Sequence, residues 1–264
     1  MLRLVVILMT DTNKDMLNGS ITKAITILNC FSYDKTRLRL KDISQMTGIN
    51  QATAHRMLNT LKEFNLVEQN ESSYSLGRGF LKYEGIVLNS IEIRRIGLPY
   101  LEELSNSLRV NVNLAILDEK EVVYVARAET PYSSYAYFHI GMRRPIHCTA
   151  LGKVLTCKSP EIAREVIRQG VTRLTMNTFT DEVEFLEELE KVRLQGYAVD
   201  FEELSNGINC VAVPIRNASG EIVAAISISG PTSKYPREKI LEYVPGLMNC
   251  ANRISARMGA RGNW

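Results

Sequence analysis

Between residues 38 and 64 the apolar positions fall into two short helical stretches separated by a tight turn. Gly48 stands where the turn must be sharp, and Asn50 is placed to cap the following helix through its side-chain oxygen. In that second helix Ala54, Met57, Leu58, Leu61 and Phe64 recur as one apolar stripe. The other face carries Gln51, Ala52, His55, Arg56, Asn59 and Lys62. A helix with this face is either a solvated member of a helical hairpin or a reading helix for a DNA major groove. On the second reading, Asn50, Gln51, Ala52, Thr53, His55 and Arg56 are the candidate DNA contacts.

The next stretch favours the DNA reading. Residues 65–69 and 74–76 are strand-like and flank the polar turn 70–73, which predicts a β-hairpin. Helix, turn, helix, hairpin is the order of a winged helix. Between Ser20 and Lys82 nine Lys and Arg face five Asp and Glu, a net of +4, whereas residues 83–264 sum to −1. Nearly all of the chain's net +3 therefore resides in the proposed reading head, a modest excess that favours a polyanionic partner for that half.

Helical sequence resumes over residues 80–89 and 91–108, with Leu98, Leu101, Leu104 and Leu108 on one face and Pro99 near the start or at a kink. From Val110 the period switches to alternation. Val112, Leu114 and Ile116 alternate with Asn111, Asn113 and Ala115, and a turn at 118–120 leads to a second strand over 122–127. A further extended segment is expected over 135–140. Helices follow from Thr149, over 161–169 and over 181–195; strands over 209–216 and 221–229; and one terminal helix over 236–258. The mixture predicts an α+β domain, helices on an antiparallel sheet.

Composition narrows the function. At 264 residues, 45% hydrophobic and 23% charged, the chain has room for two domains of ordinary make-up. Its five cysteines are scattered without CxxC spacing, and there are three histidines, so no metal site and no cofactor is expected. The cysteines are read as free thiols of a cytoplasmic protein. Residues 4–9 are apolar but far short of the roughly 20 residues that span a bilayer. Residues 1–17 are read as a disordered leader, the working protein beginning near Met16.

Three places in the second half converge on small-molecule chemistry. Thr149 is a good N-cap, so the N–H groups of Ala150, Leu151 and Gly152 are expected to point out unpaired, a natural carboxylate site. Alternation puts Cys210, Ala212 and Pro214 opposite Val211, Val213 and Ile215. It also puts Ser227 and Ser229 opposite Ile222, Ala224, Ile226 and Ile228. Asp200, Cys210, Ser227 and Ser229 thus line one polar site under the Ala150 helix start, suited to a compact hydroxy or keto acid. Asp200 fits beside an anion only if it binds a hydroxyl or is itself protonated.

These pieces carry a resemblance. Residues 49–58, residues 145–153 and the motif Gly196-x3-Asp200-x2-Glu203-x6-Cys210-Val211-Ala212 resemble, in order, the IclR family of bacterial transcription regulators. The resemblance implies a winged helix-turn-helix (18–79), a linker helix (80–95) and a GAF-like effector-binding domain with an antiparallel sheet (96–264). It also implies homodimers that commonly pair into tetramers, a pseudo-palindromic double-stranded operator, and a small organic acid as effector. Family effector contacts carry over to the backbone of Ala150 and Leu151 and to Asp200, Cys210, Ser227 and Ser229. Residues 140–145 look most like members that control sugar-acid catabolism. Arg216 replaces an aromatic residue of many members, and Leu151 is larger than its counterpart in some glyoxylate-type regulators. Repression relieved by effector is the expected mode. The competing readings are a protein-binding adaptor without DNA binding and a thiol hydrolase built on His147, Cys148, Asp200 and Cys210; no local signature supports the hydrolase.

Overall fold

The computed structural model describes residues 17–131 and 138–261. Residues 1–16 of the predicted leader and residues 135–137 of the expected segment 135–140 lie outside the described residues. The chain packs as two units, residues 1–87 and 88–264.

In the first unit, α1 (Gly19–Leu28) is capped by Asn18, whose side chain accepts from the amides of Ser20 and Ile21. A short β1 (Leu38–Arg39) precedes α2 (Leu40–Thr47). Gly48 ends α2 at φ +70°, a left-handed conformation that glycine adopts without strain. Asn50 then starts α3 (Gln51–Glu63), its Oδ1 accepting from Thr53 N–H at 2.9 Å. The hairpin is β2 (Val67–Asn70) and β3 (Ser73–Leu76), and β1 pairs with β3 on its other side. Its turn is the two residues Glu71 and Ser72, tighter than the expected 70–73. Ile27, Ile43, Ala54 and Leu58 are fully buried at the centre, with Leu38, Leu61, Val67 and Tyr74 around them. Phe64 departs from the expected stripe. It caps α3, Asn65 turns at φ 57°, and the ring is 70% exposed. The helix α4 (Phe80–Ser90), which runs across the division between the two units, has no buried residue.

In the second unit, α5 (Glu92–Leu108) runs through Pro99, which lies on the exposed side of the helix. Then come β4 (Val112–Asp118), β5 (Glu121–Ala128), β6 (Arg143–Pro145), α6 (Ala150–Thr156), α7 (Pro160–Arg168) and α8 (Glu182–Gln195). They are followed by β7 (Ala198–Phe201), β8 (Ile208–Arg216), β9 (Ile222–Pro231), α9 (Arg237–Leu241) and α10 (Val244–Arg257). The expected single terminal helix is broken. Pro245, in the first turn of α10, cannot donate the bond that would continue the preceding turn.

The six strands form one antiparallel sheet in the order β6-β5-β4-β9-β8-β7, with helices on both faces. On one face Val112, Leu114, Val211, Val213, Ile226 and Ile228 pack with Leu101 of α5 and Leu247 and Ile254 of α10. Each such side chain contributes roughly 1.5–3 kcal/mol on burial. On the other face Ala115, Ala198, Ala212 and Ala225 present short side chains to Leu151 and Val154 of α6 and to Phe185 and Leu189 of α8. Ile222 sides with this second cluster, contrary to strict alternation, because the β8–β9 register shifts between Ile215 and Arg216.

Candidate functional site

The exposed face of α3 is the first candidate. Gln51, Ala52, His55, Arg56 and Asn59 are exposed and Thr53 is half-buried, its backbone held by the Asn50 cap. Asn50 is exposed, and its oxygen serves the helix. Lys62 is turned away from this row: its Nζ donates to Gln69 Oε1 of the wing at 2.7 Å, joining the end of α3 to β2. Small, amide and cationic groups on one solvent-facing helix surface can meet base edges and phosphates.

The second candidate lies on the α6 side of the six-stranded sheet. Asp200, Cys210 and Ser229 are consecutive cross-strand partners on β7, β8 and β9. Ser227 pairs with Ala212 on one side and Asn113 on the other. Asp200, Cys210 and Ser227 are buried and Ser229 is half-buried. The four side chains brought together from sequence therefore share one face.

Thr149 begins α6. Its Oγ1 accepts from Gly152 N–H and donates to Pro145 O, both at 3.0 Å, and its carbonyl accepts from Lys153 N–H. This corrects one expectation: the Gly152 amide is consumed by the cap, leaving those of Ala150 and Leu151 as the open donors of the first turn. Gly152 is needed for a different reason. A Cβ there would stand 2.4 Å from Ile146 Cα and O, so only glycine lets α6 lie this close to the preceding chain.

Electrostatics separate this site from a thiol enzyme. Burial first and the Glu203 charge second push the Asp200 carboxyl up to about 7. Its Oδ1 accepts from the amides of Glu203 (2.7 Å) and Leu204 (3.4 Å), leaving Oδ2 for a partner within the site. Burial raises both the Cys210 and the Cys148 thiol far above the nucleophilic range, with the Asp200 charge adding to each. His147 is pushed down by burial, and its Nε2 lies 3.4 Å from the Thr172 carbonyl. Among the described residues no group of three or more His, Cys, Asp and Glu is placed to hold a metal ion.

Sequence reading gave no role of their own to three residues, Lys153, Glu203 and Asn113. Lys153 is fully buried, its Nζ 2.7 Å from Glu203 and 3.3 Å from Glu188, and it lies 5.1 Å from the centre of the Phe179 ring. This pair holds the end of β7 to α6. Asn113 is the third: it is 1% exposed, and both atoms of its amide lack a hydrogen-bond partner. The Ser227 hydroxyl beside it is fully buried, with the Cys210 thiol, a weak hydrogen-bonding group, next to it. Leaving a buried amide unsatisfied costs about 1–3 kcal/mol. The signal was a polar residue between Val112 and Leu114, ambiguous until both faces of the sheet are known to be covered.

A winged helix with a free polar face, followed by an α+β domain holding a buried polar site, defines a ligand-responsive transcriptional regulator. Residues 20–71 match the IclR helix-turn-helix domain and residues 85–256 match the C-terminal domain described as bacterial transcriptional regulator IclR. The chain belongs to the IclR family of DNA-binding transcriptional regulators, whose C-terminal domain binds effectors and which are not enzymes. It is 33% identical over 244 residues to the HTH-type transcriptional regulator XynR of Escherichia coli K12, covering 91% of this chain and 97% of that protein. It is also 33% identical to KdgR of the same organism, covering 91% and 93%. The crystal structure of a transcriptional regulator, RHA06195, from Rhodococcus sp. RHA1 superposes with a TM-score of 0.80 at 30% identity, covering 92% of this chain and 98% of that one. Among the described residues no helix is long and apolar enough to cross a membrane.

Proposed function

We propose that this protein is a cytoplasmic repressor that binds a pseudo-palindromic operator through α3 and is switched by a small organic acid in its second unit. The observation that carries the acid reading is the buried row Asp200–Cys210–Ser229 with Ser227 beside it, roofed by a helix start whose Ala150 and Leu151 amides are open. Thiol, hydroxyls, backbone donors and a protonatable carboxyl together suit a carboxylate bearing polar substituents. Asn50, Gln51, Ala52, Thr53, His55 and Arg56 form the DNA-contacting set. The domains run 18–79 for the winged helix, 80–95 for the linker and 96–264 for effector binding.

The working form is a homodimer, able to pair into a tetramer. Along α4, Leu81, Tyr83, Ile86 and Val87 are each more than half exposed and no residue of that helix is buried. An apolar helix of this kind gains stability when a second copy covers it. Dimers set the spacing of two recognition helices about one helical turn (roughly 34–36 Å) or a multiple apart. Effector binding that favours one arrangement of subunits then changes operator affinity by linkage.

The test is a salt-titrated operator-binding assay with and without small acids, alongside a thermal-shift screen. The reading predicts steep salt dependence and an acid that both raises the melting temperature and alters DNA affinity. An acid that stabilises the protein but leaves DNA affinity unchanged would count against it.

A further inference from the structure

We infer that Asn113, paired across the β4–β9 ladder with Ser227, is an effector-contacting residue that reads a hydroxyl group on the bound acid. The inference deepens the reading of an organic-acid site and rests on it. Asn113 alternates with Val112 and Leu114, which face α5 and α10, so its amide points to the α6 side with Ser227 and Cys210. There it meets no donor and no acceptor, although it is 1% exposed. Its neighbour on the other side of the ladder, Arg127, is engaged elsewhere: Nε lies 2.7 Å from Glu129, and Nη1 donates to the Phe138 carbonyl at 3.2 Å.

The unmet valences specify the partner. Asn113 offers an acceptor, Oδ1, and a donor, Nδ2, while Ser227 offers a hydroxyl that can do either. A carboxylate has no proton to give Oδ1 and satisfies only half of the amide. An alcohol satisfies both halves, donating its proton to Oδ1 and accepting from Nδ2. Wherever the site holds the carboxylate end of the ligand, the Asn113–Ser227 pair selects for at least one hydroxyl beyond it. A hydroxylated acid is thereby distinguished from its bare aliphatic counterpart. A site built to hydrogen-bond a hydroxyl rejects the analogue that lacks it, because its own polar groups are then left buried and unpaired.

The experiment uses the full chain and two matched pairs of sodium salts at fixed pH and ionic strength: glycerate against propanoate, and gluconate against hexanoate. Calorimetric Kd values are measured for wild type, Asn113→Leu and Asn113→Ala. At least one hydroxylated acid should bind wild type tenfold or more tightly than its bare partner. Both variants should bring that ratio within about threefold. Ligand-free Asn113→Leu should melt no lower than wild type, since it removes unsatisfied groups at similar volume. A ratio unchanged in both variants overturns the role of Asn113 while leaving the acid site standing. A ligand-free Asn113→Leu that melts several degrees lower shows an amide serving the fold, and overturns it too. Binding of none of the four acids by wild type overturns the acid-site reading and this inference together.

Discussion

Glu203 donates its backbone N–H to Asp200 Oδ1 at 2.7 Å, while its carboxylate, the second-largest influence after burial, drives that same Asp200 toward the protonated form. The unfolded carboxyl has its ordinary value of 3.8 and the folded one about 7, so the fold disfavours the charged form. Below about pH 3 both states are protonated and nothing is lost. As pH rises towards 7 the unfolded chain ionises first and stability falls; above 7 the loss is complete, a few kcal/mol at about 1.4 per tenfold change in acidity. Asp200→Asn keeps the acceptor for the Glu203 amide and removes the charge. Its stability advantage over wild type in urea melts should grow between pH 5 and 7 and stay level above 7.5. A pH-independent difference would show that Asp200 is ordinarily acidic.

The same carboxyl predicts proton-linked effector binding. An anionic ligand seated beside Asp200 raises its proton affinity further, so binding draws in up to one proton when the pH exceeds about 7. Calorimetry at pH 8 in buffers of different ionisation enthalpy should show that uptake for any organic acid that stabilises the protein. Affinity should weaken by up to about tenfold per pH unit above 7. Asp200→Asn should abolish both effects. Affinity that stays flat from pH 6 to 9 would remove Asp200 from the vicinity of the ligand's charge.

Much of the reading head was legible because its signals are local. Gly48 and Asn50 mark a helix end and a helix start through their own backbone and side-chain chemistry, whatever the rest of the chain does. Phe64 was not, since periodicity cannot tell the last helical residue from a cap that turns outward. In the second unit Asp200, Cys210, Ser227 and Ser229 could be placed on one face by alternation, and the ladder puts them side by side. Alternation failed for Ile222, where the register slips, and gave no weight to Asn113. An inward-facing asparagine becomes conspicuous only once helices are known to cover both faces of the sheet.

Recognition and folding should separate at the start of α3. Arg56 is exposed, so Arg56→Ala should leave the melting temperature unchanged while weakening operator binding about tenfold and flattening the salt dependence by about one counterion. Asn50→Ala should cost about 1 kcal/mol of stability through the lost cap, and Asn50→Ser should restore it. If Asn50→Ser melts like wild type yet still binds the operator weakly, the amide of Asn50 contacts DNA. Equal operator affinity in all three variants would move the interface away from this helix.

Lys153 ties α6 to the end of β7 beside the site, and its removal should be costly. The ammonium is fully buried between Glu203 at 2.7 Å and Glu188 at 3.3 Å, and Glu203 has a second oxygen, Oε2, buried without a partner. Burial already raises the Glu203 carboxyl against the lowering influence of Lys153. Lys153→Met leaves that carboxylate buried and uncompensated, a change worth roughly 3–5 kcal/mol of destabilisation. Adding Glu203→Gln removes the stranded charge and should recover more than half of the loss, because the ion pair itself contributes little beyond cancelling its own desolvation. Urea denaturation of the two single variants and the double variant at pH 7.5 measures that coupling. Strictly additive effects would mean that Lys153 acts through packing on the Phe179 ring, 5.1 Å away, and not through Glu203.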